Sequence, residues 1–349
     1  MNRLLSYITI LLFITAICSK LFAQNKDTIT VAFWNTENLF DIYDDKEKND
    51  NDFLPTSKKQ WTIERYTAKL QHLARVIKDM NAGRGPDVLG LAEVENKKVL
   101  EDLLEQNLAG MNYRIVHYNS PDKRGISVAL IFKSNLLELL DSSADTVHLE
   151  RNHTTRLILH TVLMTKSKDT LNFFVNHWPS RVGGMYESEL HRVSAAQTAR
   201  NSVDKLLQIN PSAAIVIMGD FNDEPDNKSI SETLGAEHLI CGKVNTKYTL
   251  HNLAWVRKNN GEGTLYYRGQ WNMLDQIIVS TQLLKSKNKS AYALCESFEI
   301  FKPDYMVKKD RKHTGAPFPT YAGKKYLGGY SDHFPVNAKI IIGNAKGKK

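Results

Sequence analysis

Cysteine is scarce in this chain of 349 residues: Cys18, Cys241 and Cys295 are all it has. So few, so far apart, cannot build a cysteine zinc cluster, which needs paired ligands a few residues apart. Cys18 falls within the leader described below. Cys241 and Cys295 then remain, either as a disulfide in an oxidising compartment or as two buried thiols. A second long apolar run is also missing: beyond the N-terminal one, no stretch is apolar and long enough to span a bilayer. The chain carries no internal repeat, no low-complexity block and no Pro/Gly/Ser linker long enough to divide it. Those absences exclude a solenoid and a string of small domains. Apolar residues make up 42%, close to ordinary globular usage, which excludes wholesale disorder and allows a sizeable core.

What is present begins with a leader. Arg3 supplies a positive start, residues 4–17 are nearly all apolar, and LFA ends at Ala23. This pattern predicts a secretory signal peptide over residues 1–23 and one domain over residues 24–349. An uncleaved anchor is the competing reading, because the apolar run is near the upper length for a signal. A lipoprotein signal at Cys18 is disfavoured by the bulky Ile17 before it. The expected localisation is secreted or periplasmic, with no membrane span left after processing. The formal net charge of +8 favours anionic partners such as nucleic acid or acidic membrane surfaces. Part of that excess lies in a tail (Lys346, Lys348, Lys349) and in lysine-rich loops. No protein partner is expected.

Hydrophobic periodicity organises the rest. TITVAFWN reads as a first buried strand, rich in β-branched and aromatic residues. Ile63, Tyr66, Leu70, Leu73, Ile77 and Met80 recur at spacings of three and four, one face of a helix stopped by Gly83, Gly85 and Pro86. DVLGLAEV is a second strand, and Val99, Leu100, Leu103, Leu104 and Leu108 mark a second helix. YRIVHY, GISVALIF, RLILHTVLM and TLNFFVNHW follow as strands, then a long helix over residues 187–208, then the strand AAIVIMGD. WNMLDQIIVS, SFEIF and FPVNAKIII complete the set. Helices alternate with strands early, and strands cluster later. The pattern predicts two sheets packed face to face with helices outside.

Several of these strands turn abruptly from apolar to polar at their ends. Glu93 closes an apolar strand, where a carboxylate is costly unless it meets a cation or several hydrogen bonds. It is the first choice as a ligand for Mg²⁺, which prefers oxygen donors; Glu95 is the nearby competitor. Asp220 and Asn222 in GDFN lie two apart, on one face of an extended segment, so the acid can take a proton from water while the amide donates to a phosphate oxygen. Gly219 allows close backbone approach. Asp332 and His333 precede the last strand, the acid suited to a metal and the imidazole to a phosphate. A histidine in that role needs a carboxylate to hold its tautomer, and Asp275, inside an apolar run, is the candidate. His177 can donate to a phosphate or protonate a leaving oxygen. Asn35, at the end of the first strand and two residues before Glu37, suits orientation of a ligand or water. Arg124, Arg181, Arg192 and Tyr118 are candidate phosphate contacts against the alternative of surface or packing roles. Trp34, Trp178 and Trp271 flank these residues, either as a wall for a base or as core filling.

In this order, Asn35, Glu93, His177, Asp220 with Asn222, Asp275 and Asp332–His333 resemble the pattern of the endonuclease/exonuclease/phosphatase superfamily. The resemblance runs from Thr30 to Ile342, and GDFN and SDHFPV are its most specific pieces. NTENLFD, NHWPSR and RGQWNMLDQIIVS look like a secreted bacterial branch of predicted nucleases. The resemblance implies an α/β fold, a four-layer α/β/β/α sandwich of two packed, mainly antiparallel sheets with the site at one sheet edge. It implies phosphoester hydrolysis with Mg²⁺ or Mn²⁺. It makes Glu93 similar to the metal-binding glutamate and Asp332 to a second acid at the metal, with Asn35 beside them. It makes Asp220 and Asn222 similar to the catalytic Asp and phosphate-contacting Asn, and Asp275–His333 to the carboxylate–histidine pair. Arg124, Tyr118 and Arg181 fall to substrate contacts. No carboxylate partner for His177 can be located in the sequence. The resulting expectation is a secreted endonuclease acting on nucleic-acid phosphodiesters. A sphingomyelinase-like or small phosphoester hydrolase is the alternative, and a non-enzymatic binding scaffold ranks behind both.

Overall fold

The computed structural model describes residues 27–245, 249–284, 291–309 and 315–343. The expected signal peptide and the lysine tail lie outside the described residues. In chain order the strands are β1 (Asp27–Leu39), β2 (Val88–Val94), β3 (Tyr113–His117), β4 (Ser127–Lys133), β5 (Leu137–Asp145), β6 (Ile158–Thr165), β7 (Thr170–His177), β8 (Ala214–Asp220), β9 (Ala236–His238), β10 (Leu250–Asn252), β11 (Leu265–Tyr267), β12 (Gln270–Asn272), β13 (Asp275–Ser280), β14 (Ala291–Ala293), β15 (Glu299–Ile300), β16 (Tyr321–Ala322), β17 (Lys325–Tyr326) and β18 (Val336–Ile342). The three long helices are α1 (Ile63–Gly83), α2 (Lys97–Asn107) and α3 (Glu189–Ile209). None of the described helices is long and apolar enough to cross a membrane.

Two large sheets result. One runs β14-β18-β1-β2-β4-β3, with β15 also on β18; the other runs β5-β6-β7-β8-β13-β10-β9. Most neighbours are antiparallel, but each sheet holds a parallel pair at its centre, β1 with β2 and β7 with β8. Parallel neighbours need a long crossover, and for these two central pairs the chain supplies a helix: α1 lies between β1 and β2, and α3 between β7 and β8. The short edge pair β9 and β10 is also parallel.

The layering follows from strand alternation. On β8, Val216 and Met218 face the other sheet, while Ile215 and Ile217 face the opposite way and pack with Ala195, Ala196, Ala199 and Val203 of α3. The alanines let this helix sit close to the sheet. Leu70, Leu73, Ile77, Val99 and Leu103 of α1 and α2 join the core of the first sheet. Gly90 of β2 marks a close approach of the two sheets: a Cβ there would meet the Met218 sulfur at 3.1 Å and a Val175 methyl at 3.2 Å. The expected mixed α/β sandwich, with helices outside two packed sheets, is the observed architecture.

Some details differ. WNMLDQIIVS is not one strand, because Met273 and Leu274 separate the hairpin strand β12 from β13. SFEIF supplies only two paired residues, with Cys295–Ser297 forming a 3₁₀ turn before them. Cys241 and Cys295 form a disulfide with Cα atoms 5.7 Å apart across a separation of 54 residues. Closing a loop of that size in the unfolded chain stabilises the fold by about 4 kcal/mol in the chain-entropy model. Cys241→Ser/Cys295→Ser is therefore expected to lower unfolding free energy by that order in urea titration. An unchanged midpoint would show that the cross-link constrains nothing.

Candidate active site

The parallel pairs decide where the polar strand ends meet. Asn35 and Glu93 lie toward the C-terminal ends of the parallel pair β1 and β2, and His177 and Asp220 end the parallel pair β7 and β8. The Asn35–Asp220 hydrogen bond brings the two pairs together. Antiparallel neighbours contribute their beginnings at the same edge: Asp275 starts β13, and Asp332–His333 lie just upstream of β18, separated from it by Phe334 and Pro335. His177, Asp220 and Asp275 form one register row across three adjacent strands. Gly219 is required just before that row. A Cβ there would lie 2.4 Å from the Asn176 carbonyl oxygen.

Asp220 is the hub. Its Oδ2 accepts from Asn35 Nδ2 at 3.0 Å, joining the two sheets, and its Oδ1 accepts from the Asn222 backbone N–H at 2.9 Å. His177 Nε2 and His333 Nε2 lie 3.6 and 3.9 Å from Oδ2. Burial pushes the Asp220 carboxyl up to about 6, with Asp275 adding to the rise while His333, Asn35 and Asn222 oppose it. A carboxylate so poised is suited to exchange protons near neutrality.

The two imidazoles are tuned in opposite directions. Burial alone would lower the His333 pKa, but Asp275, Asp220 and Asp332 outweigh it and hold the ring well above its ordinary value. His333 Nδ1 donates to Asp275 Oδ2 at 2.7 Å, and the Thr264 hydroxyl donates to the same oxygen. A backbone bridge between Leu265 and His333 fixes the ring's own segment. His177 is held well below its ordinary value, first by burial and then by Arg156, Arg124 and His333. It is a neutral imidazole beside a charged one, and its Nδ1 has no hydrogen-bond partner among the described residues. The carboxylate nearest it is Asp220.

Glu93 sits in a β-bulge: pairing to β4 skips from Ala92 to Val94, and Glu93 adopts φ 60°. Glu37, Asn38 and Asn222 are also non-glycine residues at positive φ. Left-handed backbone at four such positions is strained and gathers here at the strand ends. The bulge turns Glu93 so that Oε2 accepts from the Asn38 N–H at 2.8 Å, leaving Oε1 facing Arg124 at 3.7 Å. Asp332 keeps 47% of its side chain exposed, and its Oδ1 lies 4.0 Å from His333 Nε2. Although half open, its carboxyl is raised, by desolvation first, with Glu93 and Asp220 adding and His333 and Lys69 opposing.

This crowding of carboxylates suits a hard divalent cation. Glu93 and Asp332 offer oxygen donors within each other's field, as Mg²⁺ and Mn²⁺ prefer. Asn35 stands beside them, but its Oδ1 accepts from the Glu37 N–H and its Nδ2 serves Asp220, so little of it is left for a metal. Asp220, Asp275 and His333 also place ligand atoms within 4.8 Å of one another. There, however, the Asp275–His333 hydrogen bond already uses the ring nitrogen and the carboxylate oxygen that face each other.

Beneath the acids lies a lysine that the sequence did not suggest. Lys69 of α1 is 1% exposed and donates to Thr320 Oγ1 at 2.7 Å and to the Tyr330 carbonyl at 2.8 Å. Glu37 accepts from the Thr320 and Tyr321 N–H groups at 2.6 and 3.1 Å. Burial, then Asp332, push Glu37 up to about 7 while Lys69 opposes that rise. The only sequence signal was position: Lys69 sits on the apolar stripe between Tyr66 and Leu73. Lys69→Met removes a buried cation among carboxylates and is expected to destabilise the fold by about 3–5 kcal/mol. Equilibrium denaturation checks this, and a loss under 1 kcal/mol would place Lys69 outside the charge balance.

Other expected residues are placed differently. Arg181 donates to the Asn222 carbonyl at 2.7 Å and to Asn227 Oδ1 at 3.0 Å, so it braces the loop carrying Asn222. Asn222 Nδ2 donates to the Trp178 carbonyl at 3.0 Å. Arg192 is buried against Asp223 at 2.8 Å and is no surface phosphate contact. Tyr118 gives its hydroxyl to the Ser142 carbonyl. Glu95 turns to the Asp41 N–H at 2.7 Å, under the loop after β1. Trp34 and Trp178 are core residues and Trp271 stacks on Phe334, so none of these rings stands as a free wall. Arg156, unforeseen, is buried with Nε on the His177 carbonyl at 3.0 Å and Nη1 on Asp122 at 3.1 Å, fixing the end of β7.

Comparison with known proteins fits this architecture. Residues 30–341 match the model of the Endonuclease/Exonuclease/phosphatase family. Among functionally curated proteins, the comparison finds no match. Solved structures with the same fold include an endonuclease/exonuclease/phosphatase family protein from Bacteroides thetaiotaomicron, with TM-score 0.57, 15% identity, 91% of this chain and 99% of that one covered. A mannosyl-6-phosphatase from the same organism has TM-score 0.57 and 14% identity over 90% of this chain and 100% of its own. Truncated Caenorhabditis elegans TDP2 has TM-score 0.55 and 14% identity over 90% and 97%. At these identities the likeness is one of fold.

Proposed function

Because the chain belongs to the Endonuclease/Exonuclease/phosphatase family, we propose that the group of residues around Asp220 hydrolyses phosphoesters by direct attack of water. The observation that carries this reading is the row His177–Asp220–Asp275 closed by His333, set against the acidic pair Glu93 and Asp332. The Ser331 hydroxyl is no nucleophile: it donates to the Asn35 carbonyl at 2.7 Å and accepts from the His333 N–H, while the Thr264 hydroxyl is given to Asp275. Asp220 takes the proton of the attacking water. His333, charged and held by Asp275, donates to a phosphoryl oxygen; the second amide hydrogen of Asn222 and neutral His177 complete the donors. A divalent cation such as Mg²⁺ or Mn²⁺, held by Glu93 and Asp332 with Asn35 alongside, would neutralise charge on the phosphoryl group.

For substrate, a nucleic-acid phosphodiester is our first reading, which makes the protein an endonuclease. Basic balance supports it, as do the exposed Tyr186 (81%) and Tyr267 (58%), which offer stacking faces. Tyr267, with the Arg268 guanidinium 5.3 Å from its ring, lies in a hairpin whose first residue bridges His333. A compact phosphoester is the second reading, favoured by a polar recess beside Glu93 and by the fold shared with a mannosyl-6-phosphatase. We also propose export from the cytoplasm, on the apolar leader and the Cys241–Cys295 disulfide.

The test is a panel assay of the mature chain on plasmid, single-stranded DNA, RNA, sphingomyelin and p-nitrophenyl esters. Hydrolysis of at least one member that is abolished by EDTA and restored by Mg²⁺ or Mn²⁺ is expected. Cleavage that EDTA leaves untouched, or none at all, would sink the reading.

A further inference from the structure

Next to Glu93 the surface opens into a cavity of about 350 Å³, within the range of small-molecule sites. It shares a wall with the candidate active site. Asn38, whose N–H holds Glu93, lines it, and so does Arg124, which donates to Asn38 Oδ1 at 2.6 Å. The far wall comes from the segment after β1, through Asn49, Asn51, Asp52 and Lys59.

The chemistry of this lining is selective. Amides, a carboxylate, an ammonium and a guanidinium present donors and acceptors side by side, the complement of hydroxyl groups, each of which both donates and accepts. Two aromatic rings reach the cavity, yet their faces are occupied. Phe40 and Phe53 stack on each other at 4.3 Å, Lys59 Nζ lies 4.1 Å over the Phe53 ring, and Trp61 meets Phe53 edge-on. No flat face is left there for a nucleobase. Lys59 is also within 3.5 Å of Asp52, so the wall is not a track for a polyanion.

We propose that this cavity is the subsite for a sugar ring esterified to the phosphate that Asp220 and His333 address. The proposal rests on the hydrolase reading and names its substrate class. Water adds to phosphorus; the phosphorus–oxygen ester bond breaks with its electron pair on the sugar oxygen, which takes up a proton. A free sugar hydroxyl and a phosphate result. The sugar can come from a free sugar phosphate or from the ribose of an RNA.

The experiment compares kcat/KM of the mature chain, with Mg²⁺ or Mn²⁺, on glucose 6-phosphate, ribose 5-phosphate, an RNA dinucleotide, its DNA counterpart and p-nitrophenyl phosphate. Asn51→Ala and Lys59→Met, the latter keeping a stem over Phe53, are expected to lower the ratio of sugar-ester to aryl-ester kcat/KM about tenfold. Dependence confined to the RNA dinucleotide assigns the ring to ribose, and dependence shown by the sugar phosphates assigns it to a free sugar. An unchanged ratio in both variants overturns the subsite while leaving the hydrolase reading intact. Should the parent cleave nothing, the hydrolase reading fails; binding of glucose 6-phosphate by Asp220→Asn, read as a thermal shift, still reports on the cavity. A shift that Asn51→Ala abolishes supports it, and no shift, or one that Asn51→Ala leaves in place, overturns it.

Discussion

Asp220→Ala is expected to lower phosphoester turnover by about 10³-fold, within the 10²–10⁴ range of a positioned acid–base group. The carboxylate contacts both sheets through Asn35 and Asn222 and is the nearest anion to His177. Its removal therefore takes away the proton acceptor and the anion that both rings face. Asp220→Asn separates these roles, because it keeps the shape but cannot accept the proton. A loss in Asn equal to that in Ala identifies basicity as the role; retention of activity in Asn would remove Asp220 from proton transfer. Stability is expected to change in its pH dependence. The folded-state carboxyl is raised to about 6 from 3.8, so at pH 7 the fold holds an anion it resists. Sign follows from that: a raised acid favours the protonated fold, and stability falls as pH rises between the two values. A neutral amide removes this titration but sets an N–H against one of the two donors from which Asp220 accepts. Asp220→Asn should therefore lose the fall of stability with pH between 3.8 and about 6, read from melting against pH, while losing its activity.

Strand ends were legible because burial and charge change together along the sequence. An apolar run stopping at Glu93, Asp220 or His177 has few explanations, but the extended reading of Asp220 and Asn222 does not hold: Asn222 adopts φ 51° in a turn whose N–H folds back onto Asp220 Oδ1. The partner of His333 was legible too, since Asp275 stands alone in an apolar strand. Residues whose roles depend on loop geometry were not. Asn38 acts through its backbone N–H in a left-handed conformation, and Thr264 acts from a strand-flanking turn. Neither is distinguishable in sequence from ordinary turn residues. Two of the candidate arginines are turned inward for a physical reason. Arg192 is buried and Arg181 half-buried because their guanidinium forks cap loop carbonyls and the acid Asp223. A sequence shows the charge of an arginine, not which way it turns. The sandwich itself was readable from periodicity, whereas the parallel pair at the centre of each sheet follows from the crossover helices α1 and α3.

Asp275→Asn and His333→Ala test the other half of the site, and the informative quantity is their coupling. His333→Ala is expected to cost about 10²–10³-fold in turnover, because in the proposed mechanism it removes a cationic donor to the phosphoryl group. Asp275→Asn should cost about as much. Its Oδ2 is what holds Nδ1 protonated, and an amide there either presents N–H to the ring nitrogen or accepts more weakly. If Asp275 acts only through His333, the double variant loses no more than His333→Ala alone, giving an interaction energy equal to the smaller single effect. Thr264→Val supplies a graded version. It removes the hydroxyl that donates to the same Asp275 oxygen, leaving the ring bond in place, and a loss of severalfold is expected rather than a collapse. Additive effects of Asp275→Asn and His333→Ala would mean that the carboxylate reaches the phosphoryl centre by another route. The cluster formed by Asp220, Asp275 and His333 would then have to be read as ligands rather than as a proton-holding pair beside a base.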